Sequence, residues 1–382
     1  MGKNAADVIV IGGGIVGSSI ALRLCESGQS VILLEKGRIG EEASGRSGGG
    51  VRQQNRHPAE LPLAMEAIKI WAAMKDELDC DVGYRRYGNI NYAHSPEKLE
   101  SYRKTAEREK SIGLDVEILS PEETRYITPF LSDKIPLFGA KYCPSDGTAN
   151  PLVVPKAIGR AARRKGTEIR ENTPVLKLIC DRNRVTAAVT EKETYSGNTF
   201  INCTGPWARG LCNTIGIDFP IVIKKESVFV TEAIPPIVRP FVDSDWFWFR
   251  QALEGNIHIA GEPTKRPVDD FDKSVDFKSF VEVGRWLPGV VPYARKLNIL
   301  RAFTGLIEYT PDRIPIIDSA PGFENLIIAA GFSGHGFCLG PVIGKIVCEM
   351  VTAGKSALDI SQFRYSRFEE GQSSKEEAIR VN

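Results

Sequence analysis

The sequence has few of the residues that build metal centres and disulfide frameworks. It contains only four histidines, and its eight cysteines are scattered without a Cys-x-x-Cys pair. This spacing argues against zinc and iron–sulfur sites, so we expect no metal. It also favours small buried thiols in a reducing compartment, and we expect the cytoplasm. The net charge is only +1, which offers no general attraction to nucleic acid or to acidic membranes.

Long apolar segments are also lacking. The most apolar stretch, residues 8 to 24, contains four glycines and gives way to the charged residues Arg23 and Glu26. A membrane-spanning helix needs roughly 20 apolar residues. We therefore expect no transmembrane segment, and peripheral attachment stays open. The hydrophobic share of 42% and the charged share of 25% are typical of a soluble globular protein, long enough for two domains.

A glycine-rich turn lies between an apolar strand pattern and an apolar helix pattern near the start of the chain. Its spacing, Gly12-x-Gly14-x-x-Gly17, fits the dinucleotide-binding fingerprint. Gly12 allows a tight turn, Gly14 allows close approach to a pyrophosphate, and Gly17 allows helix and strand to pack closely. A second apolar strand pattern ends at Glu35, the place of a ribose-binding carboxylate, so NAD or FAD is favoured over NADP.

Two later segments repeat this strand-and-turn pattern. The first ends in Thr204-Gly205, and the second leads into Gly331-Phe-Ser-Gly334-His335-Gly336, followed by a helix pattern from about Pro341. Glycines around a histidine keep the backbone bare, and the helix directs its positive end at the turn. A flavin gains negative charge on reduction and a nicotinamide does not, so this feature favours a flavin.

Between these segments the residue pattern changes. Helix patterns cover residues 60–80, 96–112, 121–131 and 152–165, whereas strand patterns dominate from 219 to 262. We interpret this order as a nucleotide domain that is interrupted twice by a second, largely antiparallel domain.

On these motifs the chain resembles the D-amino-acid oxidase superfamily of FAD enzymes over nearly its whole length. The resemblance is carried by Gly12 to Gly17, Glu35-Lys36, Ala43 to Arg46, Cys203 to Trp207, Gly305 to Asp312, Pro315 and Gly331 to Phe337. Within this superfamily, one branch looks most similar in two segments, Gly48 to Gln54 and Ala330 to Phe337. That branch comprises the FAD-bearing β subunits of heteromeric amine dehydrogenases and oxidases. Its members include proline and hydroxyproline dehydrogenase, opine oxidase, cyanide synthase and heterotetrameric sarcosine oxidase.

The resemblance implies an α/β fold with a Rossmann-like FAD-binding domain of the GR2 type. That domain would comprise residues 1–87, 145–215 and 305–368, with an inserted α+β substrate domain at 88–144 and 216–304 on a mostly antiparallel sheet, and a flexible tail at 369–382. The implied FAD contacts are Gly12, Gly14, Ile15, Val16, Gly17, Glu35, Lys36, Ser44, Gly45, Arg46, Gly49, Gly50, Val51, Val175, Thr204, Gly205, Trp207, Gly305, Gly331, Gly334, His335, Gly336 and Phe337. FAD is expected to be non-covalent, because Gly305 stands where monomeric sarcosine oxidase has the cysteine that links its flavin.

The resemblance implies that the enzyme takes a hydride from the carbon next to an amine nitrogen and passes it to flavin N5. The product is an imine that hydrolyses.

The candidate catalytic residues are Arg52, Trp248, Arg250 and His335. Arg52 is the first candidate for a substrate carboxylate, although a surface or phosphate-side position is an equal alternative. One strand pattern places three alternate residues, Trp246, Trp248 and Arg250, on the same face. We expect this face either to line a pocket or to pack in the core. For His335 we favour contact with the cofactor over contact with the substrate, and we do not assign it as a base.

Departures from the family narrow the expected function. Ile307 stands where glycine oxidase has its carboxylate-binding arginine, which puts glycine as the substrate in doubt. Monomeric sarcosine oxidase has a lysine near the flavin that assists reaction with oxygen, and the nearest match to it in this sequence is His258. We therefore expect oxidation of a small secondary or N-substituted amino acid, such as proline, hydroxyproline, sarcosine or an opine, by a hetero- or homo-oligomer. Electrons would pass to a partner subunit (an FAD/NAD or iron–sulfur protein) or another acceptor. The alternatives are a self-contained oxidase that releases hydrogen peroxide and a non-catalytic flavoprotein assembly subunit.

Overall fold

The computed structural model describes residues 4–268 and 270–370. Most of the tail expected at 369–382 therefore lies outside the described residues.

The helices and strands alternate at both ends of the chain and are mainly strands in the middle. The helices are α1 Ile15–Glu26, α2 Leu61–Leu78, α3 Pro96–Ser111, α4 Pro121–Ile127, α5 Val154–Arg164, α6 Ala208–Asn213, α7 Phe277–Val290 and α8 Gly336–Ala353. The strands are β1 Ala5–Ile11, β2 Val31–Leu34, β3 Gly50–Val51, β4 Asn89–Ala93, β5 Glu117–Leu119, β6 Gly139–Cys143, β7 Gly147–Thr148, β8 Glu168–Arg170, β9 Lys177–Asp181, β10 Arg184–Val189, β11 Thr194–Asn202, β12 Val222–Ala233, β13 Phe241–Asp243, β14 Phe247–Gln251, β15 Asn256–Gly261, β16 Ile299–Tyr309, β17 Ile316–Ser319 and β18 Leu326–Ala330.

The first sheet carries the glycine-rich turn. Its order is β17-β18-β11-β1-β2-β8, with β10 and β9 added beside β11. The strands β18, β11, β1, β2 and β8 are parallel. Parallel strands need crossover connections, and α1 supplies the first of these between β1 and β2. The four residues of β2 are all buried, as expected for a strand covered on both faces. The predicted Rossmann-like α/β fold is confirmed.

The second sheet has the order β16-β12-β15-β14-β13-β4-β6-β5. Its pairs are antiparallel except for β13 and β4. This sheet confirms the expected antiparallel partner to the nucleotide-binding sheet. The domain boundaries themselves stay a prediction, and the expected boundary between residues 304 and 305 falls within β16.

Three helices differ from the sequence expectations. α4 ends at Ile127 rather than near residue 131. α8 begins at Gly336, five residues before Pro341, so the proline lies inside the helix, where its missing N–H removes one backbone hydrogen bond. α7 was not predicted, since Gly284, Pro288 and Gly289 weaken its helix pattern. It begins where the Asp276 side chain accepts a hydrogen bond from the Lys278 backbone.

One described helix, α8, is long and apolar enough to cross a membrane by length and composition. The expectation that the chain has no transmembrane segment stays a prediction. In the structure α8 packs against α1 and α2, and 56% of the helix is buried inside the protein. This burial accounts for its apolar composition as that of a core helix.

A buried ion pair joins α3 to β6. The Lys141 ammonium lies 2.8 Å from the Glu109 carboxylate, and both side chains are almost completely buried. The other Glu109 oxygen accepts a 2.6 Å hydrogen bond from the Asn55 backbone, in the segment that follows β3. The pair therefore anchors a loop of the first half of the chain onto the second sheet.

We expect Lys141→Met to lower the free energy of unfolding by about 3–5 kcal/mol, because it leaves the Glu109 carboxylate buried without its cation. Urea unfolding measures this change. Lys345→Met is the matched control, since Lys345 also pairs with a glutamate (Glu66) but is 41% exposed. Equal loss of stability in the two variants would contradict the role of burial.

Candidate active site

A cavity of about 740 Å³ lies where the carboxyl ends of β1, β2 and β11 face the second sheet. Its walls come from the β1–α1 turn, the segment 40–57 and the start of α8 on one side. On the other side they come from β12, β13, β14 and β16. In open α/β sheets, ligands bind in such a crevice at the carboxyl ends of the strands.

The glycines of the β1–α1 turn allow backbone contacts that no side chain would permit. Gly12 has φ +107°, and a Cβ there would lie 2.5 Å from the Cys203 carbonyl oxygen. A Cβ at Gly17 would lie 1.9 Å from the Gly12 carbonyl oxygen. The Ser44 hydroxyl accepts a 2.9 Å hydrogen bond from the Ile15 backbone at the start of α1. These contacts bring the helix N-terminus to the cavity, as pyrophosphate binding requires.

Glu35 lies at the end of β2 and lines the same cavity. Its two oxygens accept hydrogen bonds from the backbone of Gly13 at 2.6 Å and Gly37 at 2.8 Å. Burial raises the pKa of the carboxyl, and the two backbone donors oppose that effect. The carboxylate is thus fixed beside the glycine-rich turn, where a ribose hydroxyl is expected.

The neighbouring wall is aromatic and cationic. The Lys36 ammonium lies 3.9 Å from the centre of the Trp207 ring, and the ring of Phe271 stacks on Trp207 at 5.0 Å. Lys36 and Lys273 both pair with Glu42, at 2.8 and 3.0 Å. The segment that carries Phe271 and Lys273 therefore contacts the nucleotide end of the cavity from the second sheet's side.

These features satisfy the requirements of FAD. The glycine turn and the α1 N-terminus suit a diphosphate, and Glu35 suits a ribose. Farther along the cavity, Gly334 and His335 lead into α8, whose N-terminal end lines the cavity wall. Gly305 lines the cavity and carries no thiol, in keeping with non-covalent binding.

Arg52 lies at the other end of the cavity, where the second sheet closes it. Its Nη1 donates to the carbonyl oxygens of Gln54 at 2.7 Å and Asn55 at 3.3 Å, and its Nε lies 4.0 Å from the Asp243 carboxylate. Nη2 has no partner among the described residues, so one edge of the guanidinium can still bind an anion.

His335 is held by a buried carboxylate. Its Nδ1 lies 2.9 and 3.0 Å from the two oxygens of Glu60, whose side chain has no exposed surface. Burial lowers the pKa of His335 to about 4, so the ring is neutral near pH 7. Burial alone would raise the pKa of Glu60, but His335 and Arg56 together hold it below its ordinary value.

Aromatic and acidic side chains complete this end of the cavity. Trp248 stacks on Phe241 at 5.5 Å and donates a 3.1 Å hydrogen bond to Glu226. Burial raises the pKa of Glu226 to about 7. Burial also raises the pKa of Asp243, and Arg52 opposes that shift. The cavity end thus presents apolar rings, Arg52, and the carboxyl groups of Glu226 and Asp243, whose charge depends on what they contact.

Most of the predicted site residues line this one cavity. They are Gly12, Gly14, Ile15, Val16, Glu35, Lys36, Ser44, Arg46, Gly50, Arg52, Val175, Thr204, Gly205, Trp207, Trp248, Gly305, Gly334, His335, Gly336 and Phe337. The others, Gly17, Gly45, Gly49, Val51, Gly331 and Arg250, are absent from its lining. Gly17 lies in α1 and Val51 in β3, whereas Gly45, Gly49 and Gly331 lie in connecting segments.

Arg250 is a correction to the predicted pocket. It shares a face of β14 with Trp248, but its side chain lies beneath the glycine run and donates to the Gly48 carbonyl. Only 5% of Arg250 is exposed, and burial lowers the pKa of its guanidinium to about 10. His258 also does not line the cavity; burial lowers the pKa of its imidazole to about 3.

Sequence reasoning missed several cavity residues. Glu60, Arg56, Glu226, Asp243 and Phe241 line the cavity and belong to no motif. Glu60 carried a weak signal, because a glutamate directly before an apolar helix pattern is favourable at a helix N-terminus. Its contact with His335, 275 residues away, could not be read from spacing.

A family model described as FAD dependent oxidoreductase (DAO) matches residues 7–350 of the chain. The mitochondrial pyruvate dehydrogenase phosphatase regulatory subunit of Mus musculus is 28% identical, over 97% of this chain and 44% of its own length. The mitochondrial dimethylglycine dehydrogenase of Rattus norvegicus is 25% identical, over 96% of this chain and 45% of its own length. The chain thus spans less than half the length of these two relatives.

The fold is also similar to solved structures. The crystal structure of L-proline dehydrogenase from P. horikoshii superimposes with a TM-score of 0.91 and 28% sequence identity, covering 96% of this chain and 99% of that one.

We expect Gly12→Ala to reduce FAD affinity at least tenfold, because the new Cβ would collide with the Cys203 carbonyl behind the diphosphate site. The ratio of flavin to protein absorbance after purification measures this loss. Gly28→Ala is the control, since Gly28 also has a positive φ (+89°) but nothing lies within 4 Å of its added Cβ. Normal flavin content in Gly12→Ala would contradict the assigned diphosphate site.

Proposed function

The chain belongs to the FAD-dependent oxidoreductase (DAO) family, with FAD as its cofactor, and on that premise we propose that it oxidises the C–N bond of a small amino acid. The substrate class is a secondary or N-substituted amino acid of the proline, hydroxyproline, sarcosine or opine type. The product is an imine, which water hydrolyses.

The observation that carries this proposal is the free edge of Arg52 beside an aromatic wall. A guanidinium binds a carboxylate best when its donors point at it in a fixed orientation. The Gln54 and Asn55 carbonyls and Asp243 fix the other edges of Arg52, so Nη2 is held toward the cavity. The names of dimethylglycine dehydrogenase and L-proline dehydrogenase support a small amino acid substrate.

FAD supplies the two-electron acceptor for this reaction when it is bound. The chain's residues supply position and shelter for the substrate. Arg52 binds the substrate carboxylate, and the stacked rings of Trp248 and Phe241 exclude water from the reacting carbon. Arg46, which donates a 3.0 Å hydrogen bond to the Thr304 carbonyl, fixes the segment after β2 against β16.

We propose that electrons leave to a partner subunit or another acceptor rather than directly to oxygen. Among the described residues that line the cavity, the one lysine is Lys36, which lies at the nucleotide end over Trp207. No lysine is therefore available at the Arg52 end to stabilise reduced oxygen. A hetero- or homo-oligomer and a cytoplasmic location, with all eight cysteines as free thiols, belong to the same proposal.

Two alternatives remain to be tested against this proposal. A self-contained amino acid oxidase would release hydrogen peroxide from the chain alone. A non-catalytic flavoprotein subunit is favoured by one specific finding, which is the 28% identity to a protein named as a regulatory subunit. That relative is more than twice as long as the region it shares with this chain.

We expect the purified flavoprotein to be bleached anaerobically by at least one proline-like or N-alkyl amino acid. A screen over D- and L-amino acids and N-alkyl amino acids, followed by flavin absorbance, measures this. Bleaching by no amine would support the non-catalytic subunit instead. Stoichiometric peroxide from the isolated chain in air would favour the self-contained oxidase.

We expect Arg52→Met to weaken binding of a carboxylate-bearing substrate roughly 10- to 100-fold, the loss of about 1.5–3 kcal/mol from one charge-assisted hydrogen-bonded contact. The concentration dependence of anaerobic bleaching measures the affinity. The matched ligand control is the same amine without its carboxylate, for example pyrrolidine beside proline, which should bind both proteins alike. Unchanged affinity for the amino acid would show that Arg52 does not hold the carboxylate.

A further inference from the structure

The Glu60–His335 contact gives the imidazole a defined orientation and tautomer. Glu60 lies at the N-terminus of α2, where a negative charge is favoured, and it is held ionised by His335 and Arg56. An ionised carboxylate can only accept hydrogen bonds. The hydrogen of the neutral ring therefore lies on Nδ1, and Nε2 is left with a lone pair.

The lone pair of Nε2 lies on the side of the ring that faces the cavity. Nδ1 faces Glu60, which has no exposed surface, whereas 18% of the His335 side chain is exposed and the residue lines the cavity. Nε2 has no hydrogen-bond partner among the described residues. The structure therefore presents one fixed hydrogen-bond acceptor at this place, rather than a donor.

Hydrogen bonds connect the backbone of Arg52 to the segments on either side of the Glu60–His335 pair. Arg56 donates through Nε and Nη2 to the Arg52 carbonyl at 3.1 and 2.8 Å. The Cys338 thiol, in the first turn of α8, donates to the same carbonyl at 3.4 Å. The Arg52 backbone is thus held by Arg56, on the segment that leads to Glu60, and by the first turn of α8, which follows His335 directly.

We propose that His335 Nε2 accepts a hydrogen bond from the N–H of the substrate amine, and that Glu60 is the positioning residue that keeps Nε2 an acceptor. This inference rests on the proposed function and narrows its substrate class. The neutral, oxidisable form of a secondary or primary amine still carries an N–H, whereas that of a tertiary amine carries none. The site therefore selects N–H-bearing amino acids and disfavours N,N-dialkyl amino acids.

The charges around His335 are consistent with this role. Glu60 faces the ring from α2, and Arg52, Arg56 and His57 lie on the segment that precedes it. The two arginines and burial disfavour the imidazolium, while Glu60 favours it. The neutral ring results near pH 7, and it is the form that accepts a hydrogen bond.

The test of selectivity compares sarcosine with N,N-dimethylglycine, which differ by one methyl group on nitrogen. We expect the wild-type protein to be reduced by sarcosine roughly tenfold more efficiently, as one hydrogen bond of about 1.4 kcal/mol provides. His335→Asn should bring this ratio near one, because asparagine can keep the Nδ1-type donor to Glu60 but has no atom at the place of Nε2. A ratio that survives in His335→Asn would show that the wall, and not the acceptor, excludes the second methyl.

The role of Glu60 needs a readout other than turnover. Calorimetric titration of the holoprotein with pyrrole-2-carboxylate and furan-2-carboxylate compares an N–H with an oxygen in rings of the same shape, neither of which is a substrate for this oxidation. We expect wild type to bind the pyrrole about tenfold more tightly. In Glu60→Gln the preference should fall severalfold, because the amide can donate to Nδ1 and move the ring hydrogen to Nε2.

Glu66→Gln is the matched control for this titration. Glu66 is also on α2 and also pairs with α8, through Lys345 at 3.1 Å, but at the surface. It should leave both ratios unchanged. If an amino acid bleaches the flavin yet the pyrrole and furan acids bind equally, or neither binds, the inference is wrong while the proposed function stands. Bleaching by no amine would instead overturn the proposed function.

Discussion

The turn between β1 and α1 can form only if its backbone passes in direct contact with the end of β11. A Cβ at Gly12 would overlap the Cys203 carbonyl, and a Cβ at Gly17 would overlap the Gly12 carbonyl. This contact sets how closely α1 approaches the sheet, and it directs the helix N-terminus into the cavity. The positions of Ser44, Glu35 and Thr204 around the diphosphate site follow from it. The nucleotide end of the site is therefore a property of the backbone more than of particular side chains.

The other end of the cavity depends on buried charge. Arg52 and Asp243, Glu60 and His335, and Glu109 and Lys141 are pairs in which each partner would be costly to bury alone. They connect the segment after β3 to β13, the start of α2 to the start of α8, and α3 to β6. The same pairs fix which atoms remain for a ligand, because Arg52 keeps one free edge and His335 keeps one free nitrogen. In the proposed function, Arg52 and His335 therefore serve both structural support and substrate recognition.

The sequence predicted the fold, and the structure brings its nucleotide-binding motifs together around one cavity. Gly12, Glu35, Thr204 and Gly334 belong to strand-and-turn motifs, and such motifs act locally, so their function can be read from spacing. The substrate end was predicted less well. Arg250 and Trp248 share a strand face, yet the run of glycines at 48 and 49 covers Arg250 and leaves Trp248 in the cavity. Alternation along a strand predicts on which face of the sheet a side chain lies, but it does not predict which other residues pack over that side chain.

The sequence by itself determined an FAD-type nucleotide fold, because glycine spacing and apolar strands restrict the backbone over short distances. Only the tertiary structure decided which groups lie together at the Arg52 end of the cavity. Glu60 and His335 are 275 residues apart, and Glu226 on β12 meets Trp248 on β14 across the one strand between them, β15. These contacts depend on how strands and helices that are distant along the chain pack against each other. A single chain carries no local pattern for such long-range contacts, because they are selected by burial and charge after the elements have packed.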